Sequence, residues 1–406
     1  MKLRYKYRCY PNDQQRLALS KLFGCCRFVF NSGLAFCKEE YSTNKKKPSS
    51  GVLSKRLTGL KQDEDTIWLK EVSSIPLQQS LRDLDVAYSN FFNSLKGKRK
   101  GKQIRLPRFK KRSSNQSAKF TNNGFKIQPQ SKKLYLPKIG NITIVWTREL
   151  PDTPSSVTII KDSADRYFVS FVVEVEPETL PESENSTGLD LGIIDFVTLS
   201  SGEKVKAPKP LKAKLTRLRR LQKNLSRKKK GSNRREVARK KLAKLHVKIS
   251  DTRNDFLHKL STKIISENQV VVLEDLNVSG MIKNRRLSRA ISDLGWRTFR
   301  TMLEAKSAMY GRDFRVIDRW TPTSQICSTC GFKGGKKELN VREWVCLSCG
   351  THHDRDINAA VNILVAGGRP ETINKNGRGD KRKTTSKVVA VYEASTIPRN
   401  TQLSLF

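Results

Sequence analysis

Two kinds of residue in this sequence are spaced to hold metal. Cys327 and Cys330 form one CxxC pair, Cys346 and Cys349 form a second, and fifteen residues separate them. A CxxC turn lets two thiolates grip one ion, and two such knuckles at this spacing complete a tetrahedral four-thiolate zinc ribbon. Four sulfurs leave no open coordination position, so this Zn²⁺ reads as structural rather than catalytic. His352 and His353 lie just beyond and read as neighbours of the ribbon or as phosphate contacts.

The second kind is carboxylate. Asp190 interrupts an apolar strand and Glu274 closes the run Val270-Val-Val-Leu-Glu274. Asp354-Arg-Asp356 opens a helix whose Ile357, Ala360, Val361 and Leu364 make a core stripe. Acids set among apolar residues repel one another unless cations neutralise them, so convergence of three implies divalent metal. Hard oxygen ligands suit Mg²⁺, and two such ions serve phosphodiester hydrolysis. Spacing leaves Asp354 and Asp356 as alternatives, because Asp354 is well placed as an N-cap.

These residues need elements to carry them. The pattern predicts a hairpin from Thr187–Gly192 and Phe196–Leu199, a strand at Val270–Glu274 and another at Phe314–Ile317. Between them, Leu211, Leu215, Leu218 and Leu225 form one helical stripe. Ala238, Leu242, Leu245, Ile249, Phe256, Leu260 and Ile264 form another, with Gly231-Ser-Asn233 as the break. This reads as a basic helical hairpin over 209–265. Upstream, residues 1 to 10 alternate like a strand, Leu77, Leu81, Leu84, Tyr88, Phe91 and Leu95 predict a helix from Pro76 to Lys96, and 120–175 is β-rich. A β-barrel or small sheet interrupted by a helical insert fits this half, and the acidic, Pro-rich run Pro177–Asn185 marks a boundary. Cys9, Cys25, Cys26 and Cys37 read as buried thiols, and 370–406 as a disordered basic tail.

Charge narrows the class of function. The 406 residues hold 80 Lys plus Arg against 38 Asp plus Glu, a net charge of +42. A protein acting on small metabolites gains nothing from such self-repulsion, whereas a polyanionic partner neutralises it, so no small-molecule substrate is expected. The excess is localised: 209–248 holds eighteen Lys or Arg and one acid, and 96–112 holds ten and none. No run of about 18 apolar residues offers a membrane span, and the N-terminus has no signal-peptide core, so a cytoplasmic, nucleoid-associated protein of a prokaryote is expected.

At this point a family is recognisable. Gly188-Leu-Asp-Leu-Gly192, Val272-Leu-Glu-Asp-Leu-Asn277, Thr323-Ser-Gln-Ile-Cys-Ser-Thr-Cys-Gly331, Cys346-Leu-Ser-Cys-Gly350 and Asp354-Arg-Asp-Ile-Asn-Ala-Ala-Val-Asn-Ile363 together resemble TnpB, the transposon-encoded relatives of type V CRISPR effectors. Lesser matches are Gly24–Asn31, Leu106–Lys110 and Ile291–Trp296, so the resemblance spans about residues 20 to 365. It implies an RNA-guided double-stranded DNA endonuclease with one RuvC-like, RNase H-type site that cuts both strands. Its Mg²⁺-binding acids fall on Asp190, Glu274 and, directly before Ile-Asn-Ala-Ala, Asp356. It further implies a guide RNA from the transposon end, target DNA carrying a short adjacent motif, and an α/β multidomain architecture. That architecture comprises a β-barrel wedge domain (1–12 and 113–180), an inserted helical recognition lobe (13–112), a RuvC-like domain (185–320 and 351–369) and the zinc ribbon (321–350). A nuclease-silent RNA-guided regulator is the alternative, disfavoured by the three intact acids. A guide-independent nuclease of the same fold is less consistent with the size of the basic hairpin.

Overall fold

Alternation builds the first strand. In β1 (Lys2–Tyr10), Leu3, Tyr5, Tyr7 and Cys9 are buried, and the Lys and Arg side chains between them reach solvent. The computed structural model describes residues 1–44, 46–99, 103–128, 131–338 and 340–368, with the backbone of a strand at Tyr392–Ala394. The chain divides into two units after Val175. The basic tail expected over 370–406 otherwise lies outside the described residues.

In the first unit, Pro11 ends β1 and three helices follow: α1 (Asp13–Asn44), α2 (Ser50–Gln62) and α3 (Ser74–Leu95). Helix α3 starts two residues ahead of Pro76 and buries Leu77, Leu81, Leu84 and Tyr88, as their spacing requires. Cys9, Cys25, Cys26 and Cys37 are buried, and desolvation pushes Cys9 and Cys26 up to about 12, so both stay thiols. Six strands complete the unit: β2 (Gln116–Thr121), β3 (Lys126–Gln128), β4 (Lys133–Leu136), β5 (Gly140–Val145), β6 (Ser156–Lys161) and β7 (Tyr167–Glu174). Their order is β2-β6-β7-β1-β5-β4-β3. Among the described residues the path ends at β2 and β3 without closing, because β2 pairs only with β6 and the three-residue β3 only with β4. The expected barrel is therefore an open half-barrel sheet here.

The second unit is built on a mixed sheet of β8 (Ser186–Asp190), β9 (Val197–Leu199), β10 (Lys204–Val205), β11 (Val270–Glu274) and β12 (Asp313–Ile317), in the order β10-β9-β8-β11-β12. Strands β8, β11 and β12 are parallel neighbours, and β8, β9 and β10 form antiparallel pairs. Parallel strands buried on both faces need continuous apolar runs, which is why β11 is Val-Val-Val-Leu before its terminal acid.

Between β10 and β11 lie the short α4 (Pro210–Ala213), α5 (Leu215–Ser226) and the 35-residue α6 (Asn233–Glu267). Gly231, at φ +87, makes the break, and the Ser232 hydroxyl caps α6 by accepting from the Arg235 amide. The hairpin seam is thin: Leu218, Leu245 and Ile249 are buried, with Leu211, Leu221 and Leu242 against them. Farther along, α6 turns Leu257, Leu260, Ile264 and Ile265 into the sheet core, where Leu257 takes the innermost place expected of Phe256. Asp293, 4% exposed, anchors the hairpin by accepting from the amides of Leu211 and Lys212 and from Arg253, each at 3.0 Å. Helices α7 (Val278–Met281), α8 (Ser288–Leu294) and α9 (Trp296–Tyr310) connect β11 to β12. After β12, β13 (Glu343–Val345) pairs with β14 (His352–Asp354), and α10 (Arg355–Ala366) packs on β8. Among the described residues, no helix is long and apolar enough to cross a membrane.

Candidate metal centres

The acidic site follows from strand register. Residue 270 pairs with 186 and 273 with 189 in parallel, so Glu274 and Asp190 are the terminal residues of adjacent strands. Helix α10 completes the site because Gly188 lets it come close: a Cβ there would lie 2.1 Å from the Ala360 carbonyl oxygen and 2.6 Å from the Leu364 amide nitrogen. Asp190 is two strand residues beyond Gly188, about 6.6 Å along β8. Asp356 is four helical residues before Ala360, about 6 Å along α10. Along β8 and along α10 the two acids thus stand at similar distances from the contact that Gly188 permits.

Electrostatics agrees with that placement. Burial pushes Asp190 up to about 7, and the charges of Asp356 and Glu274 add to the rise, with Arg355 and Arg342 acting against it. Glu274 is also raised, by burial and then by Asp275. Asp354 plays a different part. Its Oδ1 accepts from the amides of Asp356 and Ile357 at 3.0 Å each, and its Oδ2 takes a 2.6 Å hydrogen bond from Lys204. Burial raises Asp354, but these bonds outweigh it and hold the carboxyl below its ordinary value. Asp354 is thus the N-cap of α10.

Sequence spacing did not single out Arg342 or Lys204. The Arg342 guanidinium lies 3.3 and 3.4 Å from the two Asp356 oxygens, supplying positive charge at the rim. Asp275, beside Glu274, is bound by Arg300 and Arg319, and the Arg300 hydrogen bond chiefly holds it below its ordinary range.

The four sulfurs of Cys327, Cys330, Cys346 and Cys349 lie within 4.8 Å of one another. A tetrahedron with Zn–S bonds of about 2.3 Å has S···S edges of about 3.8 Å. Cys327 to Cys349 is 3.8 Å and Cys330 to Cys346 is 3.6 Å, so the set fits one tetrahedral ion. The Thr351 hydroxyl bonds the Cys349 sulfur at 3.2 Å and pushes its thiol down to about 6, favouring the thiolate a metal needs. His353 is buried, with Nε2 3.0 Å from the Cys327 sulfur and its ring 4.7 Å from Trp344, so it supports the cluster and is not free for phosphate. His352 stays exposed.

Two asparagines tie the cluster to the acids. Asn358 accepts from the Ser328 amide at 2.9 Å and donates to the Ile326 carbonyl at 2.8 Å, while Asn362 donates to the carbonyls of Thr323 and Ile326 at 2.7 Å. They stand one turn apart, so one face of α10 grips the Cys327 knuckle while the face bearing Ala360 and Leu364 meets β8.

Comparison with known proteins adds to this geometry. Residues 170–285 match the OrfB_IS605 model, described as "Probable transposase", and 296–363 match the Cas12f1-like TNB domain. A protein of Streptomyces pristinaespiralis, named as a candidate RNA-guided DNA endonuclease, is 45% identical over 371 residues, covering 90% of each chain. The chain belongs to the TnpB family. InsQ of Escherichia coli K12, named in the same way, is 33% identical over 89% of this chain and 92% of its own. A cryo-EM structure of Cas12f1 with single-guide RNA and target DNA aligns with a TM-score of 0.51 at 14% identity, over 88% of this chain and 83% of that one, a likeness of α/β multidomain fold. Residues 1–46 match a model called a helix-turn-helix domain; here they form β1 and the single long helix α1.

Proposed function

We propose that this TnpB-family protein is an RNA-guided, Mg²⁺-dependent endonuclease that cuts both strands of target DNA at one RuvC-like site. What supports the reading is that Asp190 and Glu274 end adjacent strands and that Asp190 is held up toward 7 by burial and by the charges of Asp356 and Glu274. Such repulsion costs stability unless cations relieve it. Bound Mg²⁺, two ions in this reading, would supply activation of a water and stabilisation of charge on the leaving oxygen. The three acids would hold those ions, Gly188 keeps α10 against the strands, and Arg342 would add positive charge where the phosphate enters. A water oxygen bonds to phosphorus, one ester P–O bond breaks, and the departing oxygen is protonated.

In this reading residues 1–12 and 113–180 form the wedge domain, 13–112 the recognition lobe and 321–350 a Zn²⁺ ribbon, with the RuvC-like domain over 185–320 and 351–369. The guide is a structured RNA from the transposon end, and a short motif beside the target in duplex DNA is required. The exposed basic face of α5 and the 96–112 segment suit the backbone of a guide–target heteroduplex, because base pairing leaves the protein little sequence to read. The names of the relatives support the same function.

The test is cleavage of a guided target by protein carrying its copurified RNA, in Mg²⁺ and in EDTA. Both strands are cut only with Mg²⁺. Binding without cutting under both conditions would indicate the silent regulator, and cutting by RNA-free protein a guide-independent nuclease.

A further inference from the structure

Beside Glu274 opens a cleft of about 390 Å³, lined by Glu274, Asn277, Trp296, Arg297, Arg300 and Arg319 among others. Its size is that of a small-ligand pocket, roughly 300–1,000 Å³. Its three guanidinium groups face two lining acids, Glu274 and Glu304, and Asp275 pins two of them, Arg300 and Arg319. Trp296 is 2% exposed, and its buried indole N–H meets no acceptor. A buried donor left unpaired calls for a partner.

Directly after Arg319 stands Trp320, which is 84% exposed. Trp is seldom so bare, since its large apolar surface favours burial. Its position is fixed by the sheet: Ile317 is in register with Glu274, and the turn beyond is closed by the Trp320 amide on Asp318 Oδ1 at 2.8 Å. An indole held in solvent directly after the cleft residue Arg319, three residues beyond the partner of a site acid, has the character of a base-stacking platform.

We propose that this cleft and Trp320 bind one unpaired nucleotide of the DNA strand next to the bond that is cut, its base stacked on the Trp320 indole and its phosphate met by Arg297, Arg300 and Arg319. The proposal rests on the nuclease reading above and adds a binding subsite to it.

The experiment uses the full chain with its guide RNA and matched targets carrying an abasic nucleotide, moved one position at a time around each cut. One position slows wild-type cutting by roughly 5- to 150-fold, the range of a lost base–aromatic stack. Trp320→Ala slows cutting of intact DNA to the same degree and is insensitive to the abasic position, and Trp320→Phe restores both rate and sensitivity. Target binding and thermal stability stay at wild-type values in both variants. A flat abasic scan with wild-type protein, or intact DNA cut by Trp320→Ala at the wild-type rate, overturns the subsite and leaves the nuclease reading standing. Absence of any guided cutting by wild type in Mg²⁺ overturns the nuclease reading and the subsite with it.

Discussion

Replacing Gly188 by Ala inserts one methyl group where β8 meets α10. The new Cβ would lie 2.1 Å from the Ala360 carbonyl oxygen, 2.6 Å from the Leu364 nitrogen and 2.9 Å from the Leu364 Cβ. Comfortable contacts begin at about 3.5 Å, so the overlap with Ala360 is about 1.4 Å. Two of the three atoms met are backbone, and no rotamer change relieves them, so strand and helix must separate by about 1 Å. Overpacking of this kind costs about 1–3 kcal/mol, partly offset by the ~0.4–1 kcal/mol that Ala gains over Gly in the unfolded chain. The effect on function is larger. Asp190 and Asp356 are carried by the two elements that separate, and a misplacement of about 1 Å costs on the order of 100-fold in rate. The assay is single-turnover cleavage of a guided target well below the melting temperature, alongside thermal unfolding, with Gly24→Ala as control. A Cβ at Gly24 meets nothing within 4 Å in α1, so that variant is neutral or more stable by up to about 1 kcal/mol. Gly188→Ala with wild-type rate and stability would falsify the close-packing argument.

Further outcomes follow from the same geometry. In EDTA, Asp190 is a carboxyl raised from 3.8 to about 7. A raised acid contributes stability that is complete below 3.8 and lost as pH climbs through about 7. Asp190→Asn should therefore gain in melting temperature over wild type as pH rises across that window, and a pH-independent difference refutes the buried-acid assignment. Asn358→Ala strands the Ser328 amide and removes one of the two donors to the Ile326 carbonyl, costing about 1–3 kcal/mol and loosening the cysteine knuckle from α10, which thermal unfolding and metal retention both read. On the exposed face of α5, changing Arg219, Arg220 and Lys223 together to Ala should reduce the slope of log affinity against log salt for nucleic acid by about two to three, at about 0.7–0.9 per contact. An unchanged slope would take α5 off the binding track.

The sequence was most legible where one local rule decides the outcome. Alternation gave β1, a continuous apolar run gave β11, and the three-and-four spacing gave α3 to within two residues. The doubled CxxC spacing predicted the thiolate cluster, since each pair closes on itself through a tight turn. What stayed hidden depends on distant partners. Spacing left Asp354 and Asp356 open and the family resemblance pointed to Asp356, while the full capping role of Asp354 rests on Lys204, 150 residues away in sequence, and on two backbone amides that only a formed helix end presents. Arg342 becomes visible, and the choice for His353 between ribbon neighbour and phosphate contact is made, once β13 and β14 pair and bring them to Asp356 and Cys327. The barrel was overdrawn because alternation reports which strands exist and is silent on whether the last finds the first.

The central claim is that one acidic site cuts both strands. Its most direct test is strand-resolved, single-turnover cleavage of a guided duplex by wild type and by Asp190→Ala, Glu274→Ala and Asp356→Ala, each with target binding measured in the same tube. All three variants bind the target, and each loses cutting of both strands together. A variant that still cuts either strand would contradict the account.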